Sequence, residues 1–191
     1  MNQTLKSWLT WPVIIIAIIV VLALYVGGKY NSFVRQNEGV DTQWAQVESQ
    51  YQRRYDLIPN LVASVQGAMK QETAVFTAIA EARTRYAGAT TPEQKAGAAN
   101  GVESSLARLL VVMENYPQLK SLDTVQGLMA ELAGTENRVA VERMRYNEVV
   151  RDYNISVKTF PGSLVAGVFG FAARTMFEAQ TGAENVPKVT L

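Results

Sequence analysis

From Tyr30 onward the sequence returns to a similar kind of residue every seven positions, and this period restricts the fold more than any other feature. One series reads Tyr30, Asn37, Trp44, Tyr51, Ile58, Val65, Glu72, Ile79 and Tyr86. A second, three residues on, reads Phe33, Val40, Val47, Arg54, Leu61, Ala68, Val75 and Ala82. Both hold phase over about 57 residues, as a bundle or coiled-coil helix does and a strand of period two does not. At about 1.5 Å per residue such a helix reaches about 85 Å. Pro59 is its weak point, because it removes the bond to the carbonyl of Tyr55 and crowds that turn. Two outcomes fit: one kinked helix over 30–86, or a break with Asp56 capping a second helix. The unbroken phase favours the kink.

Ahead of this pattern, Trp11 to Val26 reads WPVIIIAIIVVLALYV. Extended from Leu9 to Gly28 it is about 20 residues, enough to cross a hydrocarbon core of about 30 Å. Trp8, Trp11 and Tyr25 stand at its ends, where amphipathic rings prefer the interface. A signal peptide is the competing reading, since Lys6 precedes an apolar run that ends in small residues. With the segment present from Met1, residues 1–28 read as an uncleaved transmembrane anchor. It runs on into the long helix, with Gly27–Gly28 as a candidate hinge. Lys6 and the amino terminus flank one side and Lys29 and Arg35 the other, so the positive-inside count nearly ties. The short basic leader favours a cytoplasmic N-terminus in the bacterial inner membrane and a periplasmic soluble domain. A cytoplasmic domain is the alternative.

The rest of the chain supplies further helices. Ala87 to Pro92 is a loop by its Gly, Thr and Pro content. Thr91 and Pro92 can cap and open a helix over about 92–115, with Val102, Leu106, Leu109, Leu110 and Met113 inward. Tyr116–Pro117 ends it, and another helix covers about 119–158. Its stripe reads Leu128, Leu132, Val139, Met144, Val150, Tyr153 and Val157. Phe160-Pro161-Gly162 stops that helix. Ser163 can cap a short apolar segment ending near Phe171, too short to span a bilayer. This segment is either a lid over the end of the bundle or an interaction patch. As a patch it would present Leu164, Val165, Val168, Phe169 and Phe171 to the membrane surface or to another subunit. The tail, 182–191, reads as extended around Pro187. The fold class is therefore all-α. A single transmembrane helix runs into an antiparallel bundle of long helices (29–159), followed by an apolar segment and tail (160–191).

Chemistry is scarce. The 191 residues carry a net charge of +1 and contain neither Cys nor His. Thiolate or imidazole metal sites, Cys and Ser–His nucleophile systems and disulfides are therefore excluded. Basic residues alternate with acidic ones, which argues against nucleic-acid binding. There is no phosphate loop, calcium loop or zinc motif, so no cofactor is expected. Glu131, Glu136, Glu142 and Glu148 fall on different helix faces and do not form a paired-carboxylate site.

Two polar clusters interrupt the apolar stripes: Arg53, Arg54, Asp56 and Asn60 around Pro59, and Glu136, Asn137, Arg143, Asn147 and Asn154. Charged and amide groups on a core-facing stripe must be satisfied there. The expectation is a structural polar core in which Arg53 or Arg54 meets Glu136, and Arg143 meets a carboxylate such as Asp56 or Glu72. Such pairs fix register between long helices more than they add stability. A ligand-binding role is the rival reading.

These residues also carry a resemblance. Arg53-Arg54-Tyr55-Asp56-Leu57-Ile58-Pro59-Asn60-Leu61-Val62, Glu114-Asn115-Tyr116-Pro117-Gln118-Leu119-Lys120 and Glu136-Asn137-Arg138-Val139-Ala140 are similar to the LemA family. So are Arg143-Met144-Arg145-Tyr146-Asn147, Arg151-Asp152-Tyr153-Asn154, Phe160-Pro161, Gly170-Phe171, Phe177-Glu178-Ala179 and Pro187-Lys188-Val189. Tyr30-Asn31 after the anchor and Glu72 fit as well. The chain departs from the family at Ala68, where an aromatic is usual, and at Gln71, where His is common. It also lacks the lipobox Cys of lipoprotein members. The resemblance implies a membrane-anchored antiparallel bundle without known catalysis, loose links to a membrane metalloprotease, and a magnetosome branch tied to membrane formation. Residues and resemblance together lead to one expectation: a non-enzymatic, membrane-anchored structural or scaffold protein that self-associates as a homo-oligomer. The alternative is a sensor or adaptor for a membrane protease partner.

Overall fold

The computed structural model describes residues 3–177, with side-chain surroundings from residue 11 onward. The C-terminal reading around Pro187 lies outside the described residues. The protein is all-helical. Its helices are α1 (Gln3–Gln66), α2 (Thr73–Gly88), α3 (Pro92–Met113), α4 (Pro117–Lys120), α5 (Asp123–Lys158) and α6 (Gly162–Phe169).

Helix α1 has no break at Gly27–Gly28 or at Pro59. The interruption of the period-seven stretch comes instead at 67–72. Gly67 starts it, with poor helix propensity. The amides of Ala68 and Met69 both donate to the Val65 carbonyl, and that of Glu72 donates to Met69. These tight bonds turn the chain and bring Met69 fully into the core, while Ala68, the in-phase residue, is exposed. The phase resumes in α2, where Val75, Ile79, Ala82 and Tyr86 are buried. The expected single helix over 30–86 is thus two helices joined by a turn.

Two compact units share these helices. One comprises Thr42–Asn147 and Thr175–Leu191. Within it, Glu48 meets Lys95 and Arg54 approaches Glu103, so α3 runs alongside α1 in the same direction. Gln43 meets Glu142 and Arg54 meets Glu136, so α5 runs opposite to α1. Helix α2 starts just past the end of α1 and its last-turn Tyr86 reaches back to Tyr51 and Tyr55, so it too runs opposite. The core holds Val47, Ile58, Leu61, Val65, Leu109 and Met113, all essentially solvent-free. Thr91 caps α3 through a reciprocal box with Gln94, and Pro92 opens it, where a missing N–H costs nothing. Leu110 and Met144, both expected inward, are exposed. Leu109, expected inward beside Leu110, is buried, and Tyr146 takes the buried position two residues from Met144.

The other unit comprises Met1–Asp41 and Glu148–Arg174. Phe33 and Val40 of α1 are buried, as are Val150, Tyr153 and Val157 of α5. Helix α6 begins at Gly162, with Ser163 inside it rather than capping it. A Cβ on Gly162 would lie 2.7 Å from the Ser156 carbonyl oxygen and 3.3 Å from the Phe33 ring, so only glycine permits this approach. Gly170 ends the helix in the left-handed region at φ 76, and the Phe171 amide donates back to Ala166. The apolar run of α1 is long and apolar enough to cross a membrane, and none of it is covered by the described residues. A run this greasy and this bare fits a membrane anchor.

Candidate functional site

Three helices of the Thr42–Asn147 unit converge on Arg54. Its guanidinium lies 3.6 Å from Glu103 of α3 and 3.5 Å from Glu136 of α5. The Arg54 side chain is only 7% exposed, against 23% for Glu103 and 66% for Glu136. Both separations exceed ordinary hydrogen-bond lengths, and Nε and Nη1 find no hydrogen-bond partner among the described residues. The guanidinium is therefore held by the field of two carboxylates more than by directed bonds.

Beside it Tyr51 and Tyr55 stack on each other and Tyr86 meets both edge-on, with Tyr55 and Tyr86 at 4.2 Å between ring centres. Burial pushes the Tyr51 hydroxyl up to about 12, with the Arg143 and Arg54 charges pulling the other way and Glu103 adding to the rise. Burial also raises Tyr55 and Tyr86 well above the ordinary tyrosine range. All three rings are thus neutral at any physiological pH and act as packing. A hollow of about 170 Å³ opens next to Arg54 and Glu136, walled by Leu61, Leu106, Leu110 and Leu132. That is below the range of about 300–1,000 Å³ usual for small-molecule pockets.

Arg143 does something other than expected. It does not reach Asp56 or Glu72; it lies 4.7 Å over the ring of Phe177. Phe177 also stacks on Trp44 at 5.7 Å and meets Tyr146 edge-on at 5.2 Å. The Phe177 backbone is gripped by Asn147, whose Nδ2 donates to the Phe177 carbonyl at 3.0 Å while Oδ1 accepts its amide at 2.8 Å. Asp56 instead accepts from Gln52, and Glu72 accepts from the Tyr116 hydroxyl.

The Met1–Asp41 and Glu148–Arg174 unit has its own version of this grip. Asn154 Nδ2 donates to the Arg174 carbonyl at 2.8 Å, and its Oδ1 accepts the Arg174 amide at 2.8 Å. The Arg174 guanidinium then donates to Asn37 at 3.1 Å and Asp41 at 2.7 Å. A side-chain amide carries one donor and one acceptor in the spacing of a peptide unit, so each asparagine pairs with extended backbone as a neighbouring strand would.

The sequence-predicted polar residues therefore divide. Arg54 and Glu136 come together. Arg143, Asn147 and Asn154 hold the extended segment at 171–177 rather than another helix. Arg53, Asp56, Asn60 and Asn137 are exposed. The first three stand one, two and six positions from Arg54, which carries them off its face at 3.6 residues per turn. Sequence reasoning missed Glu103, Trp44 and Arg174. Trp44 stood in the period-seven series, but Arg174 and Phe177 lie where no period exists to mark them. Among the described residues no group of three acidic side chains is arranged to hold a metal.

The chain is 28% identical over 188 residues to Magnetosome protein MamQ 2 and to MamQ 1 of Paramagnetospirillum magneticum, an alignment covering 85% of this chain and 69% of each relative. It is 26% identical, over the same shares, to Magnetosome protein MamQ of Magnetospirillum gryphiswaldense. Residues 43–191 match the family model described as LemA family, which takes in the Arg54 cluster and both asparagine grips, and the chain belongs to the LemA family.

Proposed function

We propose that this protein is a membrane-anchored, non-enzymatic scaffold of the bacterial inner membrane, which self-associates and presents helical surface to the envelope. One observation carries the reading: Arg54, Arg143, Asn147 and Asn154, polar residues on the core-facing stripes, are engaged in holding the protein's own chain. Arg54 sits between two carboxylates, and Asn147, Asn154 and Arg143 hold extended backbone and an aromatic ring. Bare apolar side chains on helix surfaces, such as Val111 and Ile155, supply contacts that another copy can cover. The names of the relatives tie them to the magnetosome, and the corresponding role for this chain is that of a structural component.

Light scattering on the detergent-solubilised full chain tests self-association. More than one copy per particle is the expected result; a strict monomer contradicts it. The soluble domain is placed on the periplasmic side. The chain has no Cys, so Ser104→Cys offers a unique target on an exposed α3 position. A membrane-impermeant maleimide applied to cells with a permeabilised outer membrane labels it if the domain is periplasmic, and fails to label it if the domain is cytoplasmic.

The hollow beside Arg54 favours a second reading, in which the protein senses a small ligand or adapts a membrane protease. Its size supports at most a fragment-sized occupant. Thermal stabilisation of the full chain by such a compound, abolished by Leu110→Trp, would favour that reading over the scaffold.

A further inference from the structure

Helix α6 has two faces, and both are apolar. Gly162, Val165 and Ala166 are buried. Leu164 and Val168, one turn apart, are 63% and 80% exposed, and Phe169 is 47% exposed. A short helix on a soluble surface normally turns charge outward, yet no charged residue occurs between Lys158 and Arg174.

Its position supplies the reason. The Phe169 ring lies 5.0 Å from that of Tyr30, and Phe171 lies 5.6 Å from the same ring. Tyr30 stands two residues beyond Gly28, where the apolar run of α1 ends, a rise of about 3 Å. The bare face of α6 is thus beside the point at which α1 would leave the hydrocarbon.

Charge points the same way. No Asp or Glu occurs from residue 29 to 37 or from 153 to 177, whereas Lys29, Arg35, Lys158 and Arg174 fall in those stretches. Arg174 is tied to Asn37 and Asp41; Arg35 and Lys158 are exposed. Exposed cations in the stretches that flank an apolar patch, here Arg35 and Lys158, complement anionic headgroups over acyl chains.

We propose that α6 is a second membrane contact: its Leu164–Val168–Phe169 face lies in the interfacial layer of a bilayer containing anionic lipid, alongside the anchor. The anchor fixes the protein in the membrane, and α6 fixes its tilt and rotation against the surface. This inference rests on the anchor reading, and the test separates the two. The full chain is reconstituted in nanodiscs of phosphatidylcholine and phosphatidylglycerol, with a nitroxide on Ile14→Cys, Leu164→Cys, Val168→Cys or, as the aqueous reference, Arg145→Cys. Accessibility to molecular oxygen, which partitions into hydrocarbon, is compared with accessibility to a water-soluble nickel chelate.

The expected result is a deep signal at 14 and shallow signals at 164 and 168. The shallow signals should weaken when phosphatidylglycerol is left out. Three outcomes overturn the proposal. If 164 and 168 match 145 while 14 remains in lipid, the anchor stands and the α6 contact falls. If 164 and 168 are shielded from both probes, a second copy covers the face instead. If 14 itself reads as water, anchor and contact fall together.

Discussion

Arg54 and Arg174 are the same residue held in opposite ways. Arg54 is buried, flanked by carboxylates at 3.5–3.6 Å, with two of its nitrogens outside any hydrogen bond among the described residues. Arg174 is about a third exposed, yet its guanidinium makes bonds of 2.7 and 3.1 Å and its backbone is clasped by Asn154. Charge buried without directed bonds depends on the field around it, so its neighbours are hard to replace. A chain segment held by short, aimed bonds is specified in register, and each bond contributes modestly. The first arrangement makes the helices of its unit interdependent; the second fixes where an otherwise featureless segment lies.

The largest effect should come from stripping Arg54 of its inner partner. Glu103→Leu leaves a buried cation facing one solvent-exposed carboxylate, and removal of a buried partner costs about 3–5 kcal/mol. Denaturant midpoints check this. Adding Arg54→Met to the same variant should recover much of the loss, because an apolar side chain needs no counter-charge. A double variant as unstable as the single one would show that packing, and not charge, sets the cost.

Smaller effects belong to the asparagines. Asn154→Ala and Asn147→Ala each remove two bonds to extended backbone, and each should lower stability by about 1–3 kcal/mol. Thermal melts of the two variants sharpen the contrast with Arg54, since a far larger loss would mean these amides organise the helices as well. Arg143→Met should cost less again, about 0.5–2 kcal/mol, as expected for a cation over an aromatic face. The informative control is Phe177→Leu, which should make Arg143→Met nearly silent.

Least visible at neutral pH is Tyr51→Phe, which should leave the melting midpoint close to wild type. Its effect belongs to alkali. The folded-state pKa of Tyr51 is raised from 10.0 to about 12, so the unfolded chain loses its proton first. The stability this group contributes is complete below pH 10.0 and drains away as pH rises toward about 12. Tyr51→Phe should therefore flatten the alkaline limb of a stability-against-pH curve. An unchanged limb would show that Tyr51 is not the titrating group.

Much of the helical frame was legible because burial has a period. Phe33, Val40, Val47, Leu61, Tyr51, Ile58 and Val65 stood at seven-residue spacing and are all core. The pattern misled where the chain turned without losing phase. Gly67 to Glu72 hides a tight turn, and only the swap of Ala68 for Met69 in the core betrays it. Pro59 looked like the danger, but a helix embedded in a packed unit tolerates one missing bond. Along α5 the polar residues were conspicuous, and their partners were not. Helical spacing shows which face Asn147 and Asn154 occupy, whereas the segment they hold has no repeat. One signal was available: Phe177 is a large aromatic at the end of a stretch, 172–177, that has no period to bury it.

Amide hydrogen exchange at Arg174 and Phe177 in the intact, membrane-inserted chain tests most directly whether the polar residues of α5 exist to hold that segment. Both amides should be protected. Asn154→Ala should release the Arg174 amide and Asn147→Ala the Phe177 amide. Free exchange of both amides in the unaltered protein, at the rate of an unstructured chain, would contradict the structural role assigned to those asparagines.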